Sequence, residues 1–187
     1  MNWTIPGTTL TGEREEAQRV DGVFQALFLA GGLTLSQAAS VSGLEPHTIQ
    51  NWVKRGYLSP PLGKRYTMQQ VCRILNINLL KGALTLEQSC QLISYINGSL
   101  TDESDDLIDD TLLYFFFVRL AARVRHFDDA EGWSSALKEV TAGYHEPVPG
   151  AAEKLERVLK VMLIAWLAGQ MKAQAEQMLL QLPREDE

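Results

Sequence analysis

Proline and glycine stand at Gly43, Pro46, Gly56, Pro60, Pro61 and Gly63, a spacing that rules out both a long helix and a central strand across this stretch. Whatever forms there must be short. The residues between still repeat with a helical period, so the segment is predicted to fold as brief helices joined by fixed turns. Thr34 or Ser36 can cap a first helix reaching about Val41. Gly43 supplies the left-handed turn after it, because a residue without Cβ meets no steric penalty there. Pro46 opens a second helix at a position where the missing N–H has no intrahelical partner to lose, and Gly56 ends it after Arg55.

The run Ser59-Pro60-Pro61-Leu62-Gly63 can be neither helix nor central strand, and Lys64-Arg65-Tyr66-Thr67 reads as the return strand of a small wing. That wing is the only strand candidate in the chain. A third helix is predicted from about Met68 to Leu80, with Val71, Ile74, Leu75 and Ile77 inward, before Lys81-Gly82-Ala83 breaks it. Thr85, with Gln88 three residues on, forms a capping box for a fourth helix ending near Ile96-Asn97-Gly98.

The flanks read differently. Residues 1–12, with Pro6, Gly7 and Gly12, are expected to be a loose tail. Ala17, Val20, Val23, Phe24, Leu27 and Phe28 mark a helix over Glu13–Ala30, ended by Gly31-Gly32. After Gly98, the acids Asp102, Glu103, Asp105, Asp106, Asp109 and Asp110 favour the start of a helix over about Asp105–Phe127. An EF-hand beginning at Asp102 would need glycine where Leu107 stands, so calcium is not expected. Tyr114, Phe115, Phe116 and Phe117 are consecutive and must point around their helix, which predicts burial on several sides. A short helix near Glu131–Ala142, a Gly143–Gly150 loop and a long helix over Ala151–Leu182 complete the reading. The expected division is 1–32 as a tail and helix resting on the body, 33–98 as a compact module, and 99–187 as an α-helical dimerisation or sensing domain.

Charge separates the module from the rest. From Thr34 to Lys81 there are six basic residues and one acid, Glu45, a net of +5 in a chain whose net charge is −6, which leaves −11 for the remainder. A basic module on an acidic body is the pattern expected where one face meets phosphates. On the second helix Ile49, Trp52 and Val53 form the apolar stripe, while His47, Thr48, Gln50, Asn51, Lys54 and Arg55 occupy the other positions. Gln and Asn can pair with adenine edges, Thr can meet a thymine methyl or a phosphate, and Lys and Arg meet phosphate. Lys64, Arg65 and the Tyr66 hydroxyl on the wing could reach flanking backbone, with Thr34 and Ser36 at the start of the first helix.

Thr34-Leu35, Ala38-Ala39, Gly43, Ile49, Trp52, Gly56-Tyr57-Leu58-Ser59-Pro60, Tyr66, Gln70-Val71, Ile77, Gly82 and Leu86-Glu87-Gln88 follow one another in an order that resembles the DNA-binding domain of MerR-type regulators. More narrowly, the chain looks like the MerR-like bacterial domain-of-unknown-function 1836 group. The resemblance implies a mainly α fold: a winged helix-turn-helix (MerR-like) module embedded in an all-helical body. It also implies a sequence-specific duplex-DNA-binding transcriptional regulator, with a recognition helix at about 46–55 and a wing at about 59–67, acting as a homodimer. Gln50 stands where such regulators carry a phosphate-gripping Arg, and Trp52 replaces their usual Tyr. A protein-interaction module that keeps the fold without specific DNA binding is therefore the alternative, and a small-molecule or protein effector remains open.

Other classes find no footing in the sequence. No Gly-rich phosphate loop, GxSxG or HExxH occurs, and His126 and His145 stand beside no obvious nucleophile, so neither enzyme activity nor a cofactor is expected. Cys72 and Cys90 lack metal or disulfide spacing. The first residues lack a basic and then apolar leader, and no apolar run is long enough to span a bilayer, so the expected location is cytoplasmic and away from membranes.

Overall fold

The computed structural model describes residues 2–98, 100, 106–124 and 130–182, and the chain is mainly helical. Three helices begin with the same device. Thr34, Thr67 and Thr85 each accept the backbone N–H of a glutamine three residues on, at 3.2–3.3 Å. That glutamine's side chain in turn accepts the threonine N–H at 2.9 Å. These capping boxes satisfy donors that a helix start leaves orphaned. They fix the first residues of α2 (Leu35–Ser42), α4 (Met68–Leu80) and α5 (Leu86–Asn97).

Between α2 and α3 (Pro46–Lys54) lies Gly43, left-handed at φ 66°, with Pro46 in the first turn of α3 as expected. The return strand β4 (Arg65–Tyr66) forms where the sequence predicts it, and its antiparallel partner is β3 (Leu33–Thr34), immediately before α2. Gly63 and Lys64 close the turn into β4, both with positive φ, and the Arg65 N–H donates to the Leu62 carbonyl at 2.9 Å. Two successive positive φ values match the twist of an antiparallel pair, and they suit glycine far better than lysine.

Residues 1–12 are not a loose tail. Strand β1 (Asn2–Thr4) pairs antiparallel with β2 (Thr11–Glu13), so β4 is not the only strand the sequence contains. Ile5 is buried, and Thr9 donates its N–H to the Val41 carbonyl at 2.8 Å and its hydroxyl to Ser40 at 2.8 Å. Asn78 reaches the Gly7 carbonyl, and the buried Tyr114 hydroxyl donates to Pro6 at 2.8 Å. This hairpin covers the carbonyl end of α2. The helix predicted over Glu13–Ala30 starts instead as a 3-10 segment at Arg14–Arg19 and becomes α1 only over Val20–Leu27.

The centre of the core is α4 against α6 (Asp110–Arg123), with α7 (Ala130–Thr141) and α8 (Ala151–Leu180) packed around α6. Helix α6 is shorter than the predicted 105–127. Asp109 caps it, accepting the N–H groups of Thr111 and Leu112. Its four consecutive aromatics are all buried and point to several sides of the helix. Tyr114 and Phe115 meet Phe24 of α1, Phe117 meets Trp166 of α8, and Phe116 meets Tyr144. Asp102, Glu103, Asp105 and His126 lie outside the described residues. Among the described residues no group of three or more His, Cys, Asp or Glu could hold a metal, and no helix is long and apolar enough to cross a membrane.

Candidate nucleic-acid interface

Helix α3 is held by one side only. Ile49 and Trp52 are buried, with Leu44 before and Leu58 after completing the contact with the core. On the opposite side His47, Gln50, Asn51 and Lys54 are all exposed. They stand at i, i+3, i+4 and i+7 and so form one continuous polar face. Thr48 is half-buried at the edge of that face.

Arg55 departs from the expected arrangement. It turns away to Glu87 in the first turn of α5, at 2.5 Å, and stacks over the Tyr57 ring at 4.9 Å. The carboxylate partner raises the Arg55 pKa, and Glu87 is lowered mainly by backbone hydrogen bonding, with Arg55 adding to the effect. Arg55 is thus already engaged by an acid from outside the 34–81 segment. Arg73, also counted in that segment's charge, is buried against Asp110 at 3.2 Å and cannot face a ligand. Of that segment's six basic residues Lys54, Lys64, Arg65 and Lys81 stay exposed, none with an ion pair among the described residues; Lys54 is on α3 and Lys64 and Arg65 are on the turn into β4.

A second layer of contacts fixes the turn that carries Lys64 and Arg65. Gln70, whose carbonyl end closes a capping box, sends its amide nitrogen to the Ser59 carbonyl, the Ser59 hydroxyl and the Pro60 carbonyl at 2.8–3.1 Å. Arg65 donates to the Gly32 carbonyl at 2.7 Å. Gly32 itself runs so close to β4 that a Cβ there would sit 2.5 Å from the Tyr66 carbonyl oxygen. Tyr66 is 3% exposed, and burial raises its pKa. Its ring belongs to the core, so the phosphate contact expected of its hydroxyl is withdrawn. Thr34 remains at the surface, but its hydroxyl is committed to the α2 cap, while Ser36 is exposed in the first turn of α2.

A buried polar network holds the loop that follows α3. Arg73 donates through Nε to the Tyr57 carbonyl at 3.1 Å and through Nη1 to Asp110, and Asn76 donates to the Asp110 carbonyl and carboxylate. Burial pushes the Asp110 carboxyl up, against the opposing pull of Arg73. A buried pair of this kind adds little net stability, but it fixes the loop after α3 to α4 and α6. Sequence reasoning missed this network and the Arg55–Glu87 pair, because both join residues some 30 positions or more apart. It also missed Lys64 at φ 65°, although Gly63 beside it marks the turn.

Comparison with known proteins adds relatives but no assigned activity. Residues 30–115 match the model of a domain of unknown function, DUF1836, a span that runs from just before β3 through α5 and into α6. The chain is 24% identical over 156 residues to the uncharacterized protein YkrK of Bacillus subtilis (strain 168), a match covering 77% of this chain and 67% of that relative. No solved structure matches.

Proposed function

We propose that α2, α3 and the β3–β4 turn act as a winged helix-turn-helix that binds duplex DNA, and that the protein is a transcriptional regulator of MerR type. The observation that carries this reading is the polar face of His47, Gln50, Asn51 and Lys54 on a helix locked from behind by Ile49 and Trp52. A major-groove helix needs such a division, one side rigidly held and the other free to meet base edges. Lys64 and Arg65 stand on a braced turn where flanking phosphates would run. Two copies would read two half-sites of an inverted repeat.

The test is selection of fragmented genomic DNA on the full chain at near-physiological salt, followed by sequencing. Enrichment of an inverted repeat is expected. Lys64→Ala should weaken binding to every duplex and reduce the salt slope by about 1, while Asn51→Ala or Gln50→Ala should relax sequence preference instead. Absence of any enriched sequence, together with unchanged affinity in Lys64→Ala, would overturn the reading. A second reading, a protein-interaction module on the same fold, is favoured by one observation: Arg55 is occupied by Glu87, which leaves Lys54 as the cation of α3's polar face without an ion pair among the described residues. That reading predicts weak DNA binding without a preferred sequence.

A further inference from the structure

A cleft of about 380 Å³ lies where α4, the end of α5 and the start of α6 meet the turn before β4. Its lining is divided. Arg73, Asn97 and Asp110 are each 4% exposed and form its inner end. Pro60, Leu62 and Leu100 line it nearer the surface, Leu62 with 72% of its area in solvent.

The fold leaves the inner end unsatisfied. Asn97 is the last residue of α5, and its amide lies near the Asp110 carboxylate. Yet neither Nδ2 nor Oδ1 of Asn97 has a hydrogen-bond partner among the described residues. A buried amide open at both ends costs stability that an apolar side chain of the same size would not. Arg73 sends Nε to Tyr57 and Nη1 to Asp110, which leaves Nη2 without a hydrogen bond among the described residues. One cleft is thus lined by a donor and an acceptor side by side on Asn97 and by a further donor on Arg73.

We propose that this cleft binds a neutral nucleobase, free or as its nucleoside, by the polar edge of the ring. Three properties select that class. First, a carboxamide pairs with a ring edge that presents a donor beside an acceptor, as asparagine does with adenine. Every nucleobase carries such an edge and a second acceptor for Arg73 Nη2. Second, the charge disfavours an anion. Arg73 and Asp110 cancel as a pair, and Asp106 on the wall adds a negative charge, so a phosphorylated nucleotide is excluded from the inner end. Third, Pro60, Leu62 and Leu100 offer apolar surface to the ring faces, and the volume falls within the roughly 300–1,000 Å³ usual for small-molecule sites. Gln70 ties Ser59 and Pro60 to the start of α4, so an occupant would rest against the turn that carries Lys64 and Arg65. The site does not require the DNA-binding reading, and its test uses no DNA.

Adenine, hypoxanthine, cytosine and uracil are titrated into the full chain by calorimetry. At least one should bind one-to-one with a dissociation constant below about 100 μM, and inorganic phosphate should not displace it. Asn97→Leu should weaken that binding about 10–100-fold, the usual effect of losing paired buried hydrogen bonds. Its urea midpoint should stay or rise, because the substitution removes an unpaired amide rather than a bond. Leu62→Ser, at a position the fold leaves in solvent, should weaken binding about fivefold through lost apolar cover. No saturable binding of any of the four bases at about 1 mM, displacement by phosphate, or unchanged affinity in Asn97→Leu would each overturn the proposal. So would a lowered urea midpoint in Asn97→Leu together with unchanged affinity in Leu62→Ser, since the amide would then serve the fold and the base would bind elsewhere.

Discussion

Helices α3 and α6 belong to the same core and use their side chains in opposite ways. Helix α6 buries nine of its 14 residues, Asp110 included, and touches α1, α4, α7 and α8. Helix α3 buries Ile49 and Trp52 and leaves its long polar face to solvent. The first is the point about which the fold is organised; the second is carried by the fold and presented. The difference teaches where substitutions should register. Around α6 they should change stability, and on α3 and the neighbouring turn they should change binding while stability holds.

The sharpest way to break this comparison is Asp110→Ala. It would leave Arg73 buried without its carboxylate, which typically costs about 3–5 kcal/mol, measured by urea unfolding. Replacing both partners with apolar residues, as Arg73→Met/Asp110→Leu, should recover most of the loss, since the desolvation cost disappears with the pair. A loss below about 1 kcal/mol for Asp110→Ala would mean that the start of α6 is not the fixed point described here. Next in size is Gly82→Ala, which sets a methyl group against the Gly169 backbone and should cost roughly 1–3 kcal/mol. Gly82 has no positive φ, so the loss would report close approach alone. Smaller again is an alkaline effect at Cys90, whose thiol burial lifts from 9.0 to about 11. The folded protein keeps this proton where the unfolded chain releases it. The stability is therefore fully present below pH 9 and is lost as pH rises towards 11, by about 1 kcal/mol at pH 10. In Cys90→Ala the slope of stability against pH should flatten over that window.

How much of this was legible follows from the range of each interaction. The capping boxes at Thr34, Thr67 and Thr85, the turn at Gly43 and the start of α3 at Pro46 depend on residues within four positions of one another, and the sequence carries them openly. The aromatic run of α6 was equally readable, because four consecutive large rings leave a helix no solvent face. The N-terminal hairpin was misread for a physical reason. Its Pro6 and Gly7 suggest a loose end, yet Trp3 and Ile5 alternate before that turn as a strand should, and its anchors are the carbonyls of Ser40 and Val41 and the Tyr114 hydroxyl, all remote in sequence. At the candidate site, the face of α3 was legible from period alone. The loss of Arg55 from that face and of Tyr66 from the wing was not, since one is claimed by Glu87 and the other by the core, which only the tertiary fold supplies.

The smallest predicted effect sharpens the comparison furthest. Lys64 sits at φ 65°, a backbone region that costs a residue with a Cβ about 1–2 kcal/mol relative to the right-handed one. Glycine has no such penalty, although it makes the unfolded chain more flexible and so returns part of the gain. Lys64→Gly should therefore stabilise the protein by about 0.5–1 kcal/mol, seen as a higher urea midpoint with an unchanged slope. The same change removes one of the exposed cations of the module that have no ion pair among the described residues, so under the proposed function affinity for duplex DNA should fall and the salt slope should shrink. Stability and binding are predicted to move in opposite directions from a single side chain, which is the sign of a residue kept in a strained place for what it touches. A variant that gains stability and binds DNA as before would leave the strain at Lys64 without a role at the interface.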